Sequence, residues 1–298
     1  MDLKYTVRQE HNGYKLVGCL KAELGFSSTM IRRIKVCDGA SVNGIARHMG
    51  HIVQAGDIIQ VHVPDKPTSE MPMEIGLSPI YMDDYIFAID KPAGIGMYRM
   101  HTDDDVNIIA GVLAMQMRLG MSDIPVRPLS RLDRHTTGVI LFARFPHIQH
   151  QLQLKQNYSK EYLLITDGIP DRDSGTIDLP IGKDDVHSFR MSCFPEGKPA
   201  LTEYNVLDKC GNHCLVSARL LTGRTHQLRV HFMTIGCPIH GDTLYGNASP
   251  EICGQALHCH RVTFRHPVSG ETPIVEAPLH REFLNSLEVC GLRLPAHI

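Results

Sequence analysis

Leu16, Leu20 and Leu24 recur at helical spacing, with Cys19 on the same side, and Gly25 follows where such a helix should stop. Ser27 or Ser28 suits the cap of a second helix. Met30, Ile31 and Ile34 fall on its apolar face, Arg32, Arg33 and Lys35 on the other, and Gly39 supplies a stop. Asn43-Gly44 predicts a hairpin turn, and Ala55-Gly56-Asp57 a turn before a strand over 58–63. These elements predict a small first module over residues 1–65. From Lys66 to Ile80, Pro67, Pro72 and Pro79 stand among Ser, Thr and Gly, the composition of a linker.

A second module is predicted over residues 81–298. Short apolar or alternating runs dominate it: 86–89, 139–143, 162–165, 214–218 and 262–264. Helical spacing is clearest over 106–119, weaker over 145–156 and 227–235. The predicted class is α+β: a small α/β domain, then a larger domain with a mixed, mainly antiparallel sheet flanked by helices and loops.

Composition changes this picture little. The 298 residues are 43% hydrophobic and 21% charged, ordinary for a chain with a sizeable core. A formal net charge of −2 excludes a globally basic nucleic-acid binder, so any such contact must come from local patches. No apolar run reaches the roughly 20 residues of a membrane span, and the charged start lacks a signal-peptide core. The expectation is a cytoplasmic protein with no membrane contact. The nine cysteines are odd in number and irregularly spaced, which predicts reduced thiols. Cys210-Gly-Asn-His213-Cys214 and His258-Cys259-His260 lack the paired spacing of a zinc site, so no metal is expected.

Three segments carry candidate chemistry. In the first, Asp133 lies between Arg131 and Arg134, followed by Thr136-Thr137-Gly138 and the apolar run 139–143. A carboxylate is charged at neutral pH and nearby arginines favour that form, which suits a nucleophile better than a general acid. In the second, Lys160-Glu161-Tyr162 leads into an apolar strand. In the third, Leu221-Thr-Gly-Arg-Thr-His-Gln-Leu-Arg-Val-His-Phe232 holds Arg224, His226, Arg229 and His231 within eight residues.

These segments resemble the motifs of the RluA-type RNA pseudouridine synthases, RluC/RluD-like, in the family's order. Further matches are Asp90-Lys91-Pro92-Ala93-Gly94, Pro180-Ile181-Gly182-Lys183, Gly236-Cys-Pro-Ile-His-Gly-Asp242, Tyr245-Gly246 and Phe264-Arg-His-Pro. In all, the resemblance runs from Tyr81 to about His280, about 200 residues. The usual first motif is His-Arg-Leu-Asp-[Lys/Arg]-Asp-Thr-Ser-Gly; here Ser130, His135 and Thr137 depart from it, as Met97-Tyr98-Arg99 departs from a His-Pro pair. The pattern Gly25-Phe-Ser27, Arg32, Ile34, Val42-Asn43-Gly44 and Ala55-Gly56-Asp57-Ile58-Ile59 resembles an S4 RNA-binding domain.

The resemblance implies isomerisation of uridine in RNA, ribosomal before transfer RNA, with Asp133 as nucleophile and no cofactor or metal. It implies that Tyr162 lies against the base and that Arg224 pairs with the catalytic carboxylate. Arg131, Arg134 and Arg229 would bind substrate RNA, and Arg32, Arg33 and Lys35 would meet phosphates. Two other readings stay open: an RNA-binding or RNA-folding protein without essential catalysis, and a nucleoside-bond hydrolase. The second usually needs two carboxyls, and the motif shows one.

Overall fold

The computed structural model describes residues 2–62, 68–99, 106–121, 124–153, 157–184, 189–296 and 298. The first module contains β1 (Asp2–Thr6), α1 (Leu16–Leu24), α2 (Ser28–Val36), β2 (Ala40–Val42), β3 (Ile45–Ala46) and β4 (Ile58–His62). Its antiparallel sheet runs β1-β4-β2-β3. Leu16, Cys19 and Leu20 of α1 and Met30, Ile31 and Ile34 of α2 pack on Val42, Ile59 and Val61 as one core. Gly25, at φ 60°, closes α1, and Ser27 caps α2, its Oγ accepting from Met30 N at 3.2 Å.

Three details differ from the sequence pattern. α2 ends at Val36 rather than at Gly39, because Asp38 takes the left-handed turn at φ 49°. β1 is an addition; its alternation rests on Leu3 and Tyr5 alone. Val63 and the module boundary at residues 65 and 66 lie outside the described residues. The hairpin turn is as expected: Asn43 and Gly44 both have positive φ, 51° and 79°. Asn43 Nδ2 also donates to Asp57 Oδ1 at 2.8 Å, joining the two turns.

The second module contains β5 (Pro79–Met82), β6 (Ile86–Lys91), α3 (Ile108–Arg118), β7 (Thr137–Ala143), α4 (Pro146–Gln153), β8 (Tyr158–Asp167), β9 (Ser174–Asp178), β10 (Ile181–Lys183), β11 (Met191–Cys193), β12 (Leu201–Cys210), β13 (His213–Leu220), α5 (Gln227–Thr234), β14 (Leu257–Phe264), β15 (Ile274–Glu276) and α6 (Arg281–Val289). Its main sheet runs β5-β6-β7-β14-β8-β13-β12-β9, with β15 on β14. Only the β7–β14 pair is parallel among the pairs described. The class is α+β with a mixed, mainly antiparallel sheet. Residues 154–156 of the expected fourth helix lie outside the described residues.

The linker reading needs correction at its C-terminal half. Leu77 is buried in the main core, Met73 N donates to Ala110 O at 3.1 Å, and β5 begins at Pro79. Pro79 fits because β5 is an edge strand, where a missing N–H costs no ladder bond. The modules meet at α4, where Gln151 Nε2 donates to Leu24 O at 3.0 Å and the rings of Phe26 and His147 lie 5.7 Å apart.

β7 is buried along its whole length, which explains why its sequence is apolar throughout rather than alternating. Gly138 lets it approach β14. Its φ is 104°, and a Cβ there would stand 2.2 Å from the backbone oxygen of Cys259. Any side chain would push β7 away from β14, along with the Asp133 loop at its entrance.

Candidate active site

Asp133 sits in the turn that leads into β7, its own carbonyl accepting from Thr136 N at 3.1 Å. Its side chain is 29% exposed, so the carboxylate is open to a ligand. Three neighbours fix the turn. Gln255 Nε2 donates to Thr136 Oγ1 at 2.9 Å, and Thr137 Oγ1 meets His258 Nδ1 at 2.7 Å. Lys91, wholly buried at the end of β6, donates to the carbonyls of Pro92 (2.8 Å), Arg134 (2.8 Å) and Thr136 (3.0 Å). An ammonium has three N–H donors, and all three are used.

Burial pushes the Lys91 ammonium down to about 7, against the opposing charges of Asp133 and Asp90. Above that pH and below the unfolded value, the unfolded chain binds more protons than the folded one. The stability cost of burying the ammonium, present below about pH 7, is therefore relieved as pH rises. The effect on the site has the opposite sign. A neutral amine has only two N–H groups, so one carbonyl loses its donor and the turn loosens. We expect kcat to fall on the alkaline side with an apparent pKa near 7. Lys91→Met should lack that limb and be about 10²-fold slower at every pH. A pH–rate profile of both proteins checks this; an alkaline limb unchanged in the variant would remove Lys91 as its cause.

α5 supplies the opposite wall. It is buried almost all round, so each polar residue on it needs a partner. Gln227 accepts from Thr222 Oγ1 (2.9 Å) and Arg224 N (3.0 Å) and donates to Leu201 O (3.0 Å) and Thr202 Oγ1 (3.1 Å). His231 contacts Thr202 Oγ1 and Leu179 O, both at 2.9 Å, and burial lowers its pKa. Arg229 donates through Nε and Nη2 to both oxygens of Asp242, at 2.7 and 2.8 Å, and through Nη1 to Asp133 Oδ2 at 3.2 Å. Asp242 is fully buried and also accepts from the backbone N–H groups of Leu244 (3.0 Å) and Tyr245 (3.2 Å). Thus a buried carboxylate aims the guanidinium, which holds one oxygen of Asp133. Asp133 Oδ1 makes no hydrogen bond among the described residues.

This corrects the expected pairing. Arg224 lies before α5 and donates to Pro199 O at 2.9 Å; Arg229, on the helix, reaches Asp133. Arg229 is 8% exposed and three of its five N–H groups go to carboxylates, so its first task here is to hold Asp133. His226 caps α5 at φ 55° with Nδ1 2.9 Å from Tyr245 Oη and Nε2 3.9 Å from Asp133 Oδ2. Burial lowers its pKa, with Asp133 opposing, so the ring is neutral at pH 7. The Tyr245 ring lies 5.0 Å from the Arg229 guanidinium carbon, a cation–π distance.

Tyr162 lies on β8 opposite Cys259 of β14, buried in the main core. Burial raises its phenol well above the ordinary value, and the charges of Cys259 and Asp133 add to this. The group is therefore a neutral aromatic wall near Asp133. Arg131 and Arg134 are exposed beside Asp133. Arg134 Nε donates to Gly94 O at 2.7 Å, and Arg131 makes no hydrogen bond to a described residue. Arg32, Arg33 and Lys35 are all exposed on α2.

Sequence reasoning gave no role to Lys91, Asp242, His226 or Tyr245. The signals for Lys91, Asp242 and Tyr245 were a Lys-Pro turn and a Gly-Asp…Tyr-Gly stretch; His226 lay inside the third motif.

The fold and site define an enzyme class, RNA-modifying isomerases with a single open carboxylate gripped by an arginine. The profile of the RNA pseudouridylate synthase family matches residues 85–234. The uncharacterized RNA pseudouridine synthase YhcT of Bacillus subtilis is 32% identical over 290 residues, 95% of each chain. Ribosomal large subunit pseudouridine synthase D of Nitrosomonas europaea is 34% identical over 254 residues, 80% of this chain and 73% of that one. Human RNA Pseudouridylate Synthase Domain Containing 4 has the same fold, with a TM-score of 0.59 at 24% identity, over 73% of this chain and 94% of that one. This chain belongs to the RluA family of RNA pseudouridine synthases, isomerases that act on RNA. Nothing in the comparisons favours the reading without catalysis or the hydrolase reading. Among the described residues no helix is long and apolar enough to cross a membrane.

Proposed function

We propose that this chain converts one or a few uridines of large-subunit ribosomal RNA to pseudouridine in the cytoplasm, as an RluC/RluD-like synthase. The observation that carries the catalytic assignment is the hold of Arg229 on a half-exposed Asp133. The ribosomal target rests on the likeness to the Nitrosomonas protein.

The reaction breaks the bond from C1′ to N1 and forms one from C1′ to C5. Asp133 is the nucleophile: a carboxylate with one oxygen held by Arg229 and the other without a hydrogen bond among the described residues can form a covalent adduct at C1′ or at C6. Arg229 aims it, with Asp242 and Lys91 as positioning residues. Tyr162 lies against the base. The base leaves its stack at a cost of a few kcal/mol, least in a loop. Arg131, Arg134 and Arg224 form a cationic rim for the flanking phosphates.

Residues 1–65 act as an S4 RNA-binding domain, joined to a catalytic domain that already includes Met73, Leu77 and β5. Support comes from α2, whose exposed Arg32, Arg33 and Lys35 stand opposite a buried apolar face. Replacing all three by Ala should weaken RNA binding and lower the slope of log K against log salt by about 2–3. Filter binding at several salt concentrations measures this; an unchanged slope would take α2 off the RNA.

The decisive experiment maps pseudouridine in total RNA with and without the protein. Sites lost on deletion and restored by wild type, but not by Asp133→Ala, are expected in large-subunit ribosomal RNA. Sites in transfer RNA instead would replace the target, and no lost site would refute the catalytic reading.

A further inference from the structure

One cluster of titratable side chains takes no part in the roles given above. Asp167 ends β8, His213 begins β13, His240 lies between α5 and β14, and Cys290 follows α6. One ring nitrogen from each histidine and the Cys290 Sγ lie within 4.8 Å of one another. The two rings meet edge to face, centroids 5.6 Å apart at 90°. Asp167 Oδ1 accepts from His240 Nδ1 at 2.7 Å and lies 3.0 Å from His213 Nδ1. A carboxylate behind Nδ1 fixes the ring and leaves Nε2 as a lone pair, the arrangement that orients metal-binding imidazoles.

His240 is only 8% exposed, and its Nε2 is buried without a hydrogen-bond partner. The nearest anion to it is Glu251 Oε2, at 3.8 Å. An unsatisfied buried acceptor is costly, and this one belongs to a histidine grouped with a thiol and a second imidazole. We propose that His213, His240 and Cys290 bind one divalent zinc-type cation, with a water as the fourth ligand. Two imidazoles and a thiolate suit a borderline-soft ion, whereas calcium and magnesium require oxygen ligands. Binding breaks the Cys290 S–H bond, forms a sulfur–metal bond and releases the proton to solvent.

The proposal departs from the sequence-based expectation of no metal. That expectation weighed ligands close together in the chain, and these three are spread over residues 213, 240 and 290. A second candidate, Glu10, His11 and Glu23, is less suited, because Arg8 lies 3.6 Å from both carboxylates. The cation would tie the end of α6 to the sheet and to the His240 loop, two residues before Asp242. It is thus a structural tie next to the carboxylate that aims Arg229.

The test is titration of the reduced, metal-free, full-length chain with Co²⁺, followed by competition with Zn²⁺. The expected result is one equivalent bound, a thiolate-to-cobalt charge-transfer band, tetrahedral visible bands and one proton released, all reversed by Zn²⁺. Cys290→Ser should lose the charge-transfer band, and His240→Asn should weaken binding at least about 10-fold. Zn²⁺ should also raise the thermal midpoint of wild type and not that of Cys290→Ser. Wild type that binds no stoichiometric Co²⁺, or a band that persists in Cys290→Ser, would overturn the proposal. The wild-type titration decides the first point even if a variant does not fold.

Discussion

Asp133→Asn should give a folded protein that binds RNA and makes no pseudouridine. The expected loss in kcat is on the order of 10⁴-fold or more, the scale of losing a nucleophile. The amide has the same shape but no charge and little nucleophilicity. The fold should tolerate it, because Arg229 keeps both bonds to Asp242 and the ion pair lost is part-exposed. That loss should cost about 1 kcal/mol or less. Single-turnover assays with RNA, alongside binding and urea unfolding, read the three quantities separately. Activity within ten-fold of wild type would move the nucleophile to another residue.

Asp242→Ala should have the largest effect on stability, about 3–5 kcal/mol, because it leaves the Arg229 guanidinium buried with most of its compensation gone. Asp242 accepts four hydrogen bonds, two from Arg229 and two from the backbone after it, so the turn at Leu244 and Tyr245 is lost as well. Catalysis should fall too, since Arg229 is then free to collapse onto Asp133. The double variant Arg229→Met, Asp242→Leu should be less destabilised than the sum of its parts, because no lone charge remains. Urea unfolding of the single and double variants measures the coupling. Additive losses would show that the pair is not a unit.

Much of this site is legible in the sequence because its chemistry lies in contiguous runs. Asp133 sits in one turn before one apolar strand, and 221–232 carries its basic residues across the entry to α5. What the runs do not give is orientation. Arg224 and Arg229 are five residues apart, and only the start of α5 at Gln227 decides which one faces Asp133. Asp242 is invisible as a partner because nothing local pairs it with Arg229. α6 escaped notice for a related reason: its cap, His280, makes no side-chain cap bond, and its buried face is Phe283, Ser286 and Leu287. Caps at Ser27 and Gly25, by contrast, act on their own neighbours and were readable at once.

The parallel pairing of β7 with β14 also governs when the active site can exist. The turn that carries Asp133 is held by Arg229, 96 residues later, and by Gln255 and His258, 119 and 121 residues from their partners. His280 closes on Asp90 across 190 residues. During synthesis the nucleophile emerges long before Arg229, Gln255 and His258, which hold it and its turn. A growing chain stopped before β14 therefore carries every atom of Asp133 and no enzyme. Such distant contacts also slow folding, since each loop must close before its contact is made. Activity then belongs to finished chains, and RNA can be modified only after the last third of the protein has folded back onto the first strands of the catalytic sheet.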